Sequence, residues 1–460
     1  MTEKEFKRSV LTVTAFASFL TPFMGSSVNL ALPSIGNEFG VNAVTLNWIV
    51  SSYMLSTSIL LLPAGRIGDI MGRKKIFTIG LIIFTLTMIM LTFTPGIRWL
   101  IGVRILQGVG SAMLFGTNMA ILTSVFPPGE RGRAMGINVT AVYIGLASGP
   151  FLGGLLTRYL GWRSIFAFLI PMGIISLILI RTKMKEEWAE AHGEKFDWPG
   201  TLVYGVSMAA LMYGFSRLPS AAGWMITAAG VILMPLFIMR QKRTDHPIFD
   251  ITLISGNRVF SFSSLAALIH YAATSATGFF LSLFLQYIKA LDPRDAGFVL
   301  MSWPVTMALI STLAGKISDS HNPGVLASIG MAITSAGLIL LCFITENTSL
   351  AFIVTILVIM GAGFSFFSSP NSNAIMSSVS RKQLGNASGM LGTVRNVGQT
   401  FSMAIALMLL AVYMGQAKID PDNYPQLMRA MQTGFLIFSV LCFAGVFASL
   451  ARNKSLRKTG

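Results

Sequence analysis

Fourteen apolar stretches, each about 20 residues long, leave this chain few folds to choose from. They begin near Val10, Leu46, Ile76, Ile97, Ala134, Ser164, Gly200, Ala222, Phe262, Ala296, Gly324, Leu350, Asn386 and Met431. A run of that length crosses a bilayer as a helix, because lipid offers nothing for an unpaired backbone amide to bond. Hydrophobic residues make up 53% of the sequence and charged residues 11%, a balance foreign to a water-soluble domain of this size. The expected fold class is therefore all-α integral membrane, with 14 transmembrane helices.

The net charge of +16 does not point to nucleic acid, because the basic residues lie in short clusters between apolar runs and not on one face. They read as a topology signal. With the N-terminus in the cytoplasm, 24 of the 34 Lys and Arg fall inside, 8 outside and 2 within spans. A multi-pass protein of the plasma membrane with both termini cytoplasmic is the expectation. Lys4, Lys7 and Arg8 precede a stretch running to Leu32 that has no convincing cleavage site, so it is read as a retained span. The two cysteines, Cys342 and Cys442, each sit inside an apolar run and supply neither a disulfide framework nor a metal site.

A polar break from Arg181 to Pro199 carries Lys183, Lys185, Glu186, Glu187, Glu190, Glu194, Lys195 and Asp197. It predicts a partly helical cytoplasmic connector after span six. A second basic connector, Arg240 to Arg258, follows span eight, giving six, two and six spans. The boundaries are 1–185 for the first six-helix half, 186–258 for the connector with two extra helices, and 259–460 for the second half.

The halves repeat. Between spans two and three lies a charged clasp, Gly65-Arg66-Ile67-Gly68-Asp69-Ile70-Met71-Gly72-Arg73-Lys74-Lys75, and 250 residues later stands Gly315-Lys316-Ile317-Ser318-Asp319. Span five opens Arg133-Ala134-Met135-Gly136 and reaches Gly145; span thirteen opens Asn386-Ala387-Ser388-Gly389 and reaches Gly398 after the same interval. Pairing span n with span n+8 relates both sets, as in a parallel repeat of helical halves.

These motifs resemble the major facilitator superfamily, specifically its fourteen-span drug:proton antiporter branch, over nearly the whole chain. Gly65, Asp69, Gly72, Arg73 and Lys74 match the family's loop between spans two and three, although Ile70 stands where a basic residue is usual. The resemblance implies a cytoplasmic latch, with Gly315 and Asp319 as its weaker copy. Asp69 can accept from helix-terminal amides or from an arginine of a neighbouring helix. The plainer alternative is a solvated positive-inside turn.

Span four places Arg104 among apolar residues in Arg104-Ile105-Leu106-Gln107-Gly108-Val109-Gly110. Such an arginine must face protein or water. The resemblance gives it a part in proton transfer; the alternative is a structural arginine on the carbonyls of span one or two. In span five, Gly145, Gly149 and Gly153 recur every four residues, followed by Gly154 and interrupted by Pro150. That face admits a close neighbour helix and resembles the packing motif of exporters.

Span one ends Asn29-Leu30-Ala31-Leu32-Pro33, as in the family, but Met24 stands where many members have an aspartate. None of the 18 Asp and Glu residues falls in the middle of a span. What remains inside is Arg104, Arg395 and His270, alongside Asn29, Asn118, Asn138, Gln286 and Gln399. Arg104, Gln107, His270, Arg395 and Asn29 are the candidates for proton coupling or cavity lining. His270 alone has an ordinary pKa near neutrality; a hydrogen-bonded packing histidine is the other reading. Phe23, Trp48, Tyr53, Tyr143, Tyr271 and Phe280 are candidates for an aromatic lining or for packing.

The resemblance implies the major facilitator fold and proton-coupled export of lipophilic small molecules or drugs by alternating access. The alternative is a specific exporter or facilitator of an organic anion or a neutral metabolite. No Walker motif, His-Glu-x-x-His or nucleophile elbow is present, so neither ATP coupling nor an enzyme is indicated, and no cofactor is implied. The expected partners are a small-molecule substrate, protons and the lipid bilayer, with no nucleic acid, for a monomeric protein.

Overall fold

The computed structural model describes residues 2–184, 186–245, 247–248, 256–379 and 384–452. All regular structure among them is helical. In chain order the helices are α1 (Glu3–Phe39), α2 (Ala43–Met71), α3 (Arg73–Thr92), α4 (Ile97–Val125), α5 (Pro128–Leu160) and α6 (Ser164–Lys183). Then come α7 (Trp198–Ser216), α8 (Ala221–Gln241) and α9 (Arg258–Leu283), which runs into a π turn. Next is α10, built of Pro293–Leu300 and Ser302–Ser320, and last α11 (Pro323–Leu341), α12 (Leu350–Ser377), α13 (Leu384–Tyr413) and α14 (Tyr424–Ala451).

Thirteen of these are long and apolar enough to cross a membrane. The other, α7, has 19 residues whose Trp198, Thr201, Tyr204, Ser207 and Tyr213 dilute its apolar content. Prolines inside helices, among them Pro22, Pro63, Pro150 and Pro370, do not end them.

The chain forms two compact units. The first comprises Met1–Phe39, Trp48–Met212 and Ile226–Phe249; the second comprises Gly40–Asn47, Tyr213–Met225 and Asp250–Gly460. In the first unit α1 packs on α5 and α6, and α3 on α4 and α6. The second unit repeats this, with α9 on α13 and α14, and α11 on α12 and α14. Each pairing recurs eight helices later.

Lipid tails are as apolar as leucine, so contacts between these helices depend on close packing more than on escape from water. Glycine makes that approach possible. A Cβ on Gly80 of α3 would lie 2.9 Å from the Gly110 carbonyl of α4, and one on Gly363 of α12 would lie 2.8 Å from the Gly330 carbonyl of α11. Likewise a Cβ on Gly145 would lie 2.7 Å from the Phe19 carbonyl of α1, and one on Gly398 would lie 2.6 Å from the Leu268 carbonyl of α9. The Gly145 and Gly398 correspondence seen in the sequence is thus a correspondence of helix crossings.

Two expectations need correcting. The connector after α6 holds no helix among its described residues up to Trp198, because its carboxylates bond to another part of the chain and not to lysines one turn away. The sequence reading puts Asp69 and Asp319 at helix ends and the other acids in loops or tails, but Asp69 and Asp319 are not alone in lying on helices. Glu38 lies in the last turn of α1, which continues past Pro33 to Phe39, and Glu130 lies in the first turn of α5.

Candidate functional site

The most buried charge in the first unit is Arg104 of α4, with no exposed surface. Its Nε donates to the Ile49 carbonyl of α2 at 3.1 Å and its Nη1 to Gln107 Oε1 at 2.6 Å. The guanidinium lies 4.3 Å from the centre of the Tyr53 ring, whose hydroxyl meets Ser111 Oγ at 2.8 Å. Gly108 lets α2 come this near, since a Cβ there would sit 2.6 Å from the Tyr53 carbonyl. Arg104 Nη2 and Gln107 Nε2 are buried donors with no partner among the described residues. Of the two readings of this arginine, the geometry contains the carbonyl contact to span two, while two donors stay unpaired among the described residues.

Below the same face, α1, α4 and α5 share a polar network. Ser18 Oγ donates to Asn138 Oδ1 at 2.8 Å, Asn118 Nδ2 to Ser18 Oγ at 2.8 Å, and Asn138 Nδ2 to Thr14 Oγ1 at 3.3 Å. Amides bonded across three helices in this way fix helix register, although Asn118 Oδ1 has no partner among the described residues. Gly145, Gly149, Pro150, Gly153 and Gly154 of α5 are all buried. The glycine face lies against α1 of the same unit: a Cβ on Gly149 would collide with Ser26 Oγ, and one on Gly153 would lie 2.7 Å from Ser27 Cβ. Asn29 is half-buried on α1, and Met24, in the position of the missing aspartate, is wholly buried.

The clasp is a break of one residue between α2 and α3. Gly72 has φ of 114°, a conformation open to glycine. Gly65 approaches the Gly116 carbonyl of α4, at 3.3 Å from an added Cβ. Asp69 Oδ1 accepts from Arg73 Nε at 2.8 Å, and Arg73 Nη1 also reaches Ser124 Oγ at 2.8 Å and Glu190 Oε1 at 2.7 Å. Glu190 belongs to the connector, which lies across the clasp. Glu187 Oε1 accepts from the Lys74 amide at 2.8 Å, and Glu194 pairs with Arg66. Helix-terminal amides are therefore capped by Glu187, while Asp69 takes the arginine.

Just beyond, Asp197 accepts from Arg240 Nη2 at 2.8 Å, from Gln241 Nε2 at 2.7 Å and from the Gly200 amide at 3.0 Å. Burial works against its charge, but these donors outweigh it and hold the carboxyl below the usual range. At the opposite ends of the helices, Glu38 accepts from Trp162 Nε1 at 2.7 Å and from both terminal nitrogens of Arg163, the closer at 2.7 Å.

The second unit arranges its candidates differently. His270 of α9 is wholly buried, its ring 4.0 Å from Phe367 and 5.0 Å from Phe364, with Cys442 Sγ 3.7 Å from Nδ1. Nε2 has no partner among the described residues. Arg395 donates to Ser372 Oγ at 2.7 Å and faces the Tyr271 ring at 5.6 Å. Phe280 packs on Phe435 and Phe438. Gly315 has open space around it, and the side chain of Asp319 lies outside the described residues.

Sequence reasoning missed Arg452. It directly follows α14, is 2% exposed, and donates to Ser263 Oγ at 2.8 Å, Asn371 Oδ1 at 2.7 Å, Ser449 Oγ at 2.9 Å and the Gly324 carbonyl at 3.1 Å. Nothing separates its codeless tail position from Lys454 or Arg457 in the sequence. Glu187, Glu190 and Glu194 had a signal: acids spaced by three and four residues, able to meet the basic clasp.

Membrane-length helices packed in two repeated sets define a polytopic membrane protein. The Major Facilitator Superfamily profile matches residues 14–260 and 263–459, and the chain belongs to that superfamily. It is 28% identical over 441 residues, 96% of both chains, to the riboflavin transporter RibZ of Clostridioides difficile. It is 30% identical over 420 residues to the multidrug resistance protein Stp of Mycobacterium tuberculosis, covering 89% of this chain and 77% of that one. Its fold resembles that of a bacterial homologue of the human lysosomal transporter Spinster, with a TM-score of 0.68 at 16% identity and 98% coverage of both chains. The protein is a multi-pass membrane transporter and not an enzyme.

Proposed function

We propose that the protein exports neutral or anionic lipophilic small molecules across the plasma membrane, in exchange for protons, by alternating access between two six-helix halves. The halves are 1–185 and 259–460, with 186–258 carrying the two extra helices, and both termini are cytoplasmic. The observation that carries the cargo class is the set of charges within the helices. The helices carry Arg104 and Arg395, and every Asp and Glu among the described residues lies at a helix end or between helices. A cation in a dry cavity needs a counter-charge, whereas unpaired donors such as Arg104 Nη2 and Gln107 Nε2 suit a cargo rich in acceptors. Export is supported by the Gly145, Gly149 and Gly153 face on α1 and by similarity to Stp.

Proton coupling is better served by Asp69 than by His270. His270 is packed between the rings of Phe364 and Phe367, and no carboxylate among the described residues pairs with it. Asp69 holds Arg73 through a single carboxylate oxygen, and a proton there removes the ion pair. In everted vesicles loaded by a pH gradient, His270→Gln should keep gradient-driven uptake, and Asp69→Asn should lose it while retaining cargo exchange. Loss of gradient dependence in His270→Gln alone would reverse the assignment.

A second reading, a facilitator for a flat neutral metabolite, is favoured by the near full-length similarity to RibZ. Riboflavin uptake that ignores the pH gradient in the same vesicles would select it.

A further inference from the structure

The described residues after α6 are acidic and hold no helix, yet the carboxylates of Glu187, Glu190 and Glu194, although partly exposed, all meet the clasp. Glu187 caps α3: Oε1 accepts from the Lys74 amide at 2.8 Å and Oε2 from the Lys75 amide at 3.1 Å. Glu190 holds Arg73, and Glu194 holds Arg66. Two backbone bonds close the arrangement, from the Arg73 amide to the Trp188 carbonyl at 2.8 Å and from the Ala191 amide to the Asp69 carbonyl at 2.9 Å. A Cβ on Gly72 would lie 2.6 Å from Glu187 Cδ, so the glycine serves the strap as well as the turn.

A solvated charge run needs none of these features. Exposed ion pairs taken singly contribute little. Here a carboxylate at a helix N-terminus, where the macrodipole favours negative charge, is tied to two ion pairs and two main-chain bonds that share the same few residues. The clasp presents Arg66, Arg73, Lys74 and Lys75 against one acid of its own, Asp69. Like charges so close repel unless acids are supplied from elsewhere. Trp188 adds an apolar foothold, its ring 6.4 Å from that of Phe6 on α1.

We infer that Glu187, Glu190 and Glu194 are positioning residues: they form a strap that holds Arg73 and the first turn of α3, and the clasp changes shape only once the strap lets go. The functional weight of this rests on reading the clasp as a latch.

Hydrogen–deuterium exchange of the full chain in lipid nanodiscs tests it without a cargo. Peptides covering 72–78 and 186–195 should be protected in the wild type. Each charge-assisted bond lost should speed their exchange by about tenfold, so Glu187→Ala exposes the first peptide and Glu190→Ala the second. Arg66→Glu and Glu194→Arg should each loosen the strap, and the two together should return exchange to within about twofold of wild type, a rescue that loss of a merely structural contact does not give. Wild-type exchange in Glu187→Ala and Glu190→Ala, or no rescue by the paired reversal, overturns the strap. Failure of the latch is a separate result: Arg73→Ala exchanging cargo at the wild-type rate overturns the latch itself.

Discussion

Arg73 and Glu190, 117 residues apart in the chain, are joined by a 2.7 Å ion pair. The same guanidinium serves Asp69 and Ser124, so one side chain ties the end of α2, the end of α4 and the connector to the start of α3. A planar fork can do this, and an ammonium cannot hold the three directions at once.

Arg73→Lys should therefore behave as a loss and not as a conservative change. With Asp69 and Glu190 both solvent-accessible, the expected destabilisation is about 0.2–1 kcal/mol per ion pair lost, read as a lowered thermal midpoint in detergent. Transport should fall in parallel. A lysine variant with wild-type midpoint and rate would show that Arg73 is merely solvated.

Gly149→Leu places a branched side chain against Ser26 and the Phe23 carbonyl, the latter already 3.2 Å from a bare Cβ. Overpacking of this kind costs about 1–3 kcal/mol. Membrane insertion should survive, and transport should drop by about tenfold if the α1 and α5 crossing must be kept through the cycle. Gly398→Leu should do the same through α9. Normal transport in either variant would place that face against lipid.

Asp197 links stability to pH. Its folded carboxyl titrates below the unfolded value, near 3.9, so its contribution is present above that pH and disappears as pH falls through the lower folded pKa. Thermal midpoints of wild type and Asp197→Asn should differ at pH 6 and converge as the pH falls through the lowered folded pKa. A constant difference through that pKa would mean that Asp197 is held by geometry and not by charge.

Much of this architecture was legible in the sequence because bilayer thickness dictates helix length. Span starts at Ile97, Ser164 and Leu350 coincide with the first residues of α4, α6 and α12. The repeat was legible because close crossings admit only glycine, so Gly145 and Gly398 sit at corresponding places in both units. Pairing was harder. Glu187, Glu190 and Glu194 are spaced by three and four residues as on a helix face, yet they form no helix and find their partners more than a hundred residues away, a pairing that the spacing does not record. Arg452 looked like tail charge until α14 delivered it to the Ser263, Asn371 and Gly324 acceptors of three other helices. His270 was picked out by its chemistry, but its partners, Phe364 and Phe367, come from α12 and carry no charge.

The most direct measurement is counterflow in proteoliposomes holding purified protein, with matched aromatic cargoes that are neutral, singly anionic or permanently dicationic, each assayed with and without a pH gradient. Helices that carry arginines and no central carboxylate should exchange the neutral and anionic cargoes and leave the dication at the rate of protein-free liposomes. Robust, gradient-driven export of the dication would contradict the cargo assignment.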